Sequence, residues 1–469
     1  MATTLSQIIG DRPARNMDWD GCQGFLLPRW AEEPEEEDIR ILLREMGWEP
    51  DVKITLLSGS FNRVYLLENT REGNPITAIL RVSIAVEPKL KTESEVITMK
   101  MLREVSSLRV PRIMAYQSSA NNQIGYEWIL QEYLQGEPLP YKVAMGEVDW
   151  TLMEEDRRLE LVESIAEYYN EMFERQYISI GNLFPGAIGD HPELHATIGP
   201  LVAPEFYWAE HYSYVVNRGP FRNSFDWLEV RLDMKRRDCR KVASSNPNVT
   251  NRTERIIKRL TRLCNTLFAS TLTEPTTLIN LDLSARNIIM SGNELNGVID
   301  WECASVMPLW KACELPRFLQ GKSRYTEPDE SRYKGDDGVW WAEDDYRMHM
   351  LQYKRTILQK AFLINMERLS PSWLEVYNSP MTRLKKDFDL AVGSCDDTAT
   401  QSEVEKWLNT IETGIANIRM QCGTDPDMTL RMVSSLGFTV RSLQDRIYDD
   451  NNVSDKMNPP IVGPEPPLL

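Results

Sequence analysis
LINLDLSARNIIMSGNELNGVIDW, residues 278–301, is the stretch from which the rest of the chain is read. Two short apolar runs, Leu278-Ile279 and Ile288-Ile289-Met290, flank a polar loop. Ser291-Gly292-Asn293 then turns the chain into Leu295-Asn296-Gly297-Val298-Ile299, which ends at Asp300. The spacing predicts a hairpin that gathers Asp282, Asn287 and Asp300 at one mouth. An Asp, an Asn five residues on, and a second Asp closing the next strand is the pattern that phosphoryl transfer from ATP needs. The first carboxylate orients and deprotonates an acceptor hydroxyl. The Asn amide oxygen and the second carboxylate are hard oxygen ligands for Mg²⁺ on the triphosphate.

Upstream, the pattern from Val52 reads as strands: VKITLLS, RVYLLEN, a turn at Arg71-Glu72-Gly73-Asn74, then TAILRVSI. A helix is expected at about 90–104, with Val96, Met99, Met101 and Leu102 on one side, followed by the extended runs IMAYQS and YEWILQEYL. Ser58-Gly59-Ser60-Phe61-Asn62 lies in the turn between the first two strands, where small residues let backbone N–H groups approach phosphates. Arg81 stands in the third strand between Leu80 and Val82, on the opposite face from both, and can reach the α and β phosphates. It needs an anchor, and Glu95 in the following helix is the best-placed carboxylate, with Glu93 the second choice. Gln135-Gly136-Glu137-Pro138 breaks this small α+β region from the remainder of the chain. Beyond it helices are expected, most clearly at 150–178, 254–270, 340–367 and 402–420. Residues 1–50 read as a leader and an amphipathic helix, 51–135 as a small lobe, 136–450 as a helical lobe carrying the hairpin, and 451–469 as a proline-rich tail.

With 469 residues the chain can bury a large core, and two lobes are the natural expectation. A formal net charge of −17 repels phosphate backbones and anionic lipid, which argues against nucleic-acid and membrane partners and would attract a cationic small molecule or a basic partner. No apolar run is long enough to cross a bilayer, and the first residues lack the basic and apolar regions of a secretory signal. Seven cysteines without a CxxC pair suit reduced thiols in a cytosol, while Arg12 and Arg15 beside Asp11 support a mitochondrial presequence poorly without excluding that compartment. His191 and His195 bracket Pro192 without a third ligand and read as a loop pair, not a metal site. The aromatics of PEFYWAEHYSYVV (204–216) read as core before pocket, and the acids around Trp340-Trp341 as a solvated helix start before an amine cradle. No GxSxG accompanies the four histidines, so a serine hydrolase is not supported.

The segments LLSGSFNRVY, AILRV, ESEVITMKML, VPRIMAY, WILQEYLQGEPL, LDLSARNIIM and GVIDWE, in this order over residues 52–302, resemble the aminoglycoside phosphotransferase and choline-kinase-like family, a branch of the protein-kinase-like fold. PLWKACELP (308–316) is similar to stretches of fungal members. The resemblance implies an α+β, bilobal fold with a small antiparallel-sheet lobe and a large mainly helical lobe. It implies Asp282 as catalytic base, Asn287 and Asp300 as Mg²⁺ ligands, Arg81 with Glu95 as a phosphate clamp, and Glu132 to Leu134 as the strand whose backbone meets the adenine of ATP. The partner implied is a small-molecule acceptor. Two departures stand out: Asn280 where the family has His, and Arg81 where many kinases have Lys. A kinase-like scaffold that retains the Asp-Asn-Asp set without turnover is the alternative reading, and oligomeric state is left open.

Overall fold
The computed structural model describes residues 17–450 except 23–24, 58–60, 70–75, 140–152, 187–195, 243–246, 269–272, 293, 303, 336 and 423–431. The expected turns at Ser58-Gly59-Ser60 and at 71–74, the His191/His195 pair and the proline-rich tail therefore lie outside the described residues. The chain divides into two compact units, Met1–Trp227 with Leu272–Val376, and Leu228–Thr271 with Tyr377–Leu469.

In the first unit, β1 (Met17–Cys22) and β2 (Phe25–Trp30) form an antiparallel hairpin where the sequence suggested only a leader. Pro28 and the scattered charges hide any alternation there. Helix α1 (Glu36–Glu45) follows, with Ile39, Leu42 and Leu43 buried at helical spacing and Glu36, Glu37 and Asp38 in its first turn. Five antiparallel strands come next: β3 (Lys53–Leu56), β4 (Asn62–Asn69), β5 (Ile76–Ser83), β6 (Ile113–Gln117) and β7 (Glu127–Glu132), ordered β3-β4-β5-β7-β6. Ala78, Leu80 and Val82, two residues apart on β5, enter one core with Leu67, Leu130, Ile39 and Leu43. The strand period therefore puts Arg81 on the opposite face of the sheet. Helix α2 (Leu90–Val105) links β5 to β6 and buries Val96, Met99 and Leu102 as expected, while Met101 is only partly covered.

The break at 135–138 is tied down. Glu137–Pro138 forms β8, paired with β13 (Ile288–Ser291), which pairs in turn with β14 (Glu294–Val298). Gly136 has φ +136°, and a Cβ there would lie 2.1 Å from the Met290 carbonyl oxygen, so only glycine permits this approach. A third small sheet sets β12 (Thr276–Ile279) between β15 (Ser305–Pro308) and β9 (Gln176–Tyr177), and β10 (Asn182–Pro185) pairs with β11 (Ala196–Gly199). Helix α3 (Glu155–Glu174) packs on helix α6 (Glu343–Leu369), with Tyr169, Phe362 and Trp373 in edge-on contact. Between them in sequence run α4 (Ser224–Val242) and α5 (Pro247–Phe268).

The second unit is helical. It holds most of α4, together with α5, α7 (Pro380–Ser394), α8 (Gln401–Cys422) and α9 (Leu443–Asp450). Arg252 pairs with Glu405 at 2.6 Å and Arg259 with Glu412 at 2.9 Å. Both partners advance by seven residues, so α5 and α8 run side by side in the same direction, burying Ile256, Leu260, Val404 and Leu408. The architecture is α+β, an antiparallel sheet in the N-terminal part and mainly helices after it, as the sequence led us to expect. The helix at 224–242 was not foreseen, because its dense Arg, Lys and Asp obscure the apolar stripe.

Candidate active site
Of the hairpin expected at 278–301, the β13–β14 half forms, whereas β12 pairs with β15 and β9 in another sheet; backbone geometry then sets the polar residues between them. Fully buried β12 delivers Asn280, itself 3% exposed. The Asn280 Oδ1 accepts the Asp282 amide at 2.9 Å, and its Nδ2 donates to the Asp300 carbonyl at 3.2 Å. One short side chain thus joins the loop that carries Asp282 to the strand end that carries Asp300. A 3-10 turn, Ala285–Asn287, brings in Asn287, whose Nδ2 donates to the Asp282 carbonyl at 2.9 Å while its own carbonyl accepts the Ile299 amide at 2.8 Å. With the Nδ2 so engaged, the Asn287 Oδ1 is the atom left to act as an acceptor. Asp300 has φ +64°, a left-handed conformation that Asp tolerates better than most residues and that is typical of functional positions.

The sheet meets the hairpin through charge. Arg81 is buried and pairs with Glu95 on α2, as expected. Its other terminal nitrogen lies 3.3 Å from Asp300 and 3.5 Å from Glu302. Glu302 also accepts Lys91 at 3.3 Å and the Asn62 amide at 3.0 Å. Burial opposes the Arg81 charge, yet Glu95, Asp300 and Glu302 together raise its pKa above the ordinary value. Burial raises Asp300 and Glu95 above the usual carboxylate range against the pull of Arg81. Burial works the same way on Glu302, but Lys91, Arg81 and the Asn62 hydrogen bond bring it below that range. Two cations facing three carboxylates leave the cluster anionic, a setting that favours an added divalent cation.

Glu132 ends β7, and Leu134 lies two residues beyond it. The Glu132 amide is already spent on the Arg112 carbonyl at 2.8 Å, and its carboxylate on Arg109 at 2.7 Å, whose guanidinium holds the Glu132 pKa down against burial. Leu134 is buried against Gly297. The sequence gives no role to Lys91, Glu302 or Arg317, and Asn62, expected in the phosphate turn, instead opens β4 and donates to Glu302. Lys91 carried a signal, standing four residues before Glu95 on one helical face, and Glu302 another, standing two beyond Asp300. Arg317 pairs with Asp282 at 2.5 Å, both side chains about half exposed, and nothing local in sequence announced it. The aromatics at 204–214 are largely core, with Phe206, Tyr207 and Tyr214 buried; Trp340 faces the chain's own Lys334 at 4.4 Å, and the acids after it begin α6 exposed. Among the described residues no group of three His, Cys, Asp or Glu could hold a metal, and no helix is long and apolar enough to cross a membrane. Mg²⁺ needs no such group, since one or two protein oxygens plus phosphate and water complete its shell.

A sheet-borne cation anchored by a helical acid and turned toward an Asp-Asn-Asp hairpin defines the protein-kinase-like class. A model of the phosphotransferase enzyme family matches residues 53–311, more than half of the chain. The chain belongs to that family. It is 25% identical over 345 residues to a subtelomeric hrmA-associated cluster protein of Aspergillus fumigatus, covering 64% of this chain and 66% of that relative's length. It is 31% identical over 135 residues to altered inheritance of mitochondria protein 9, mitochondrial, of Candida albicans, 27% of this chain and 20% of that one. Among solved structures, the apo form of a thermostable mutant of aminoglycoside phosphotransferase APH(4)-Ia aligns over 84% of this chain and 98% of that chain, at 13% identity and a TM-score of 0.40. An ethanolamine kinase of Plasmodium vivax aligns over 77% and 82%, at 12% identity and a TM-score of 0.37.

Proposed function
We propose that this chain binds Mg·ATP at the hairpin and transfers the γ-phosphoryl group to a hydroxyl of a small molecule. The observation that carries the reading is the Arg81 guanidinium spanning Glu95 on the helix and Asp300 on the hairpin, because it brings the cation for the phosphates to the carboxylate for the metal. The Asn287 Oδ1 and the Asp300 carboxylate are the hard oxygen donors that fit Mg²⁺. When bound, Mg²⁺ offsets the charge on the phosphate oxygens. Arg81, held by Glu95, presents its remaining donors to the same oxygens. Arg317 occupies one oxygen of Asp282, so the other is the one to take the acceptor's proton. The acceptor oxygen bonds to the γ-phosphorus, the bond from that phosphorus to the bridging oxygen breaks, and ADP leaves. Asn280 supports the reading by making two bonds that tie the Asp282 loop to Asp300.

Two measurements test it. Mg·ATP at about a hundred times its Kd stabilises the native state by about 2.7 kcal/mol and so raises the melting temperature; Asp300→Ala abolishes the Mg²⁺-dependent part. No Mg²⁺-dependent shift in the wild type removes the nucleotide reading. Asp282→Asn keeps Mg·ATP binding and lowers turnover about 10²- to 10⁴-fold. Equal rates remove Asp282 as base, and Mg·ATP binding without turnover of any hydroxyl compound favours the scaffold.

A further inference from the structure
The acceptor side of Asp282 carries a cation with little else to do. Arg317 stands on a short 3-10 turn, Arg317–Leu319, fixed next to the loop by the Phe318 amide donating to the Leu283 carbonyl at 3.2 Å and by Gln359 donating to the Leu319 carbonyl at 2.7 Å. Its guanidinium makes one hydrogen bond, to the Asp282 Oδ1, and has no other partner among the described residues. Its side chain is 59% exposed, against 7% for Arg81, whose ends are taken by several carboxylates. An exposed pair of this kind adds little to folding and opens readily. Arg286, exposed on the turn between Asp282 and Asn287, adds a second cation to the same loop.

We propose that Arg317 makes the acceptor side of Asp282 an anion-recognition subsite, and that the hydroxyl compound phosphorylated here bears a carboxylate or phosphate of its own. The inference rests on the phosphotransfer reading of the site. A guanidinium offers a planar fork matched to both anions, and the donors that Asp282 does not use are the ones available for it. The overall charge of −17 would draw cations to the surface, but beyond about 8 Å such charges are screened at physiological salt, whereas Arg317 touches the base itself. An ammonium on the acceptor would meet Arg317 as a like charge. Arg317 acts in this way on specificity, leaving proton transfer to Asp282.

The test is a charge-sorted panel assayed for Mg·ATP-dependent phosphate transfer: hydroxycarboxylates such as glycerate, sugar phosphates, neutral polyols such as glycerol, and amino alcohols and aminosugars. Turnover is expected among the anionic compounds, and the carboxylate and phosphate arms show which anion is preferred. Arg317→Gln should raise KM for those compounds about tenfold or more with a smaller effect on kcat, and Arg317→Lys should restore part of the loss. Turnover confined to neutral compounds or amines, or none of the anionic ones despite Mg·ATP binding, overturns the proposal. So does an equal fall in kcat for every acceptor in Arg317→Gln, which marks a residue that only orients Asp282. Failure to bind Mg·ATP at all overturns the underlying reading, and with it this one, and melting temperature reports that outcome separately.

Discussion

Arg81 shows how one side chain joins segments distant in sequence. It is buried with three carboxylates around it, so its loss strands several charges, while the loss of Glu95 still leaves Arg81 beside Asp300 and Glu302. Removing one partner of a buried ion pair costs about 3–5 kcal/mol. Arg81→Met should therefore destabilise by that order, and Glu95→Gln by clearly less, as urea unfolding will measure; equal losses would mean that Asp300 and Glu302 do not share the charge. The Arg81–Glu95 pair was legible because strand period and helix position each place one partner. The function of Asn280 was not. From sequence it is an Asn in place of a His, and only the fold shows both ends of its amide engaged, one on Asp282 and one on Asp300.

Helix α2 brings Lys91 and Glu95 to the site, and what holds its start is a strand residue. Lys89, the residue just before it, has φ +65° and no side-chain cap, and the nearby Glu87 has φ +54°. Glu127 on β7 supplies the missing acceptor, taking the Lys89 amide and the Thr92 hydroxyl. Burial outweighs these bonds and pushes Glu127 from 4.5 up to about 7. The folded state therefore holds a proton between those values that the unfolded chain has released. Stability present below about pH 4.5 is lost as pH rises through about 7, by about 3 kcal/mol at most at 1.36 kcal/mol per pH unit. Glu127→Gln should lack this component, so the stability of wild type relative to the variant falls between about pH 5 and about pH 8 in urea titrations. A constant difference would show that Glu127 is ionised throughout. The strand run and α2 itself were readable from period, whereas the β1–β2 hairpin was not, since it depends on contacts such as Trp19 against Trp208 rather than on local alternation.

At the scale of the molecule, every residue assigned to the site falls in the first compact unit, and the second has its own apolar core around Ile256, Leu260, Val404 and Leu408. Mg·ATP should therefore slow amide hydrogen exchange at 76–105 and 276–300 and leave α5 and α8 unchanged, since binding raises the opening free energy only where opening breaks the site. Protection spread equally over both units would refute that partition. What the chain determined by itself is whatever local order encodes: period-two strands, the helix between them, and the β13–β14 hairpin around which Asp282, Asn287 and Asp300 are spaced. The tertiary structure decided the pairings that no window of sequence contains. Asn62 meets Glu302 across 240 residues and Lys91 meets it across 211, Gly136 closes on Met290, and Arg317 comes to Asp282. The physical reason is that strand and helix periods are short-range properties of the backbone. Which charges share one low-dielectric cluster depends on how the sheet and the hairpin pack, and that is settled only when the whole unit folds.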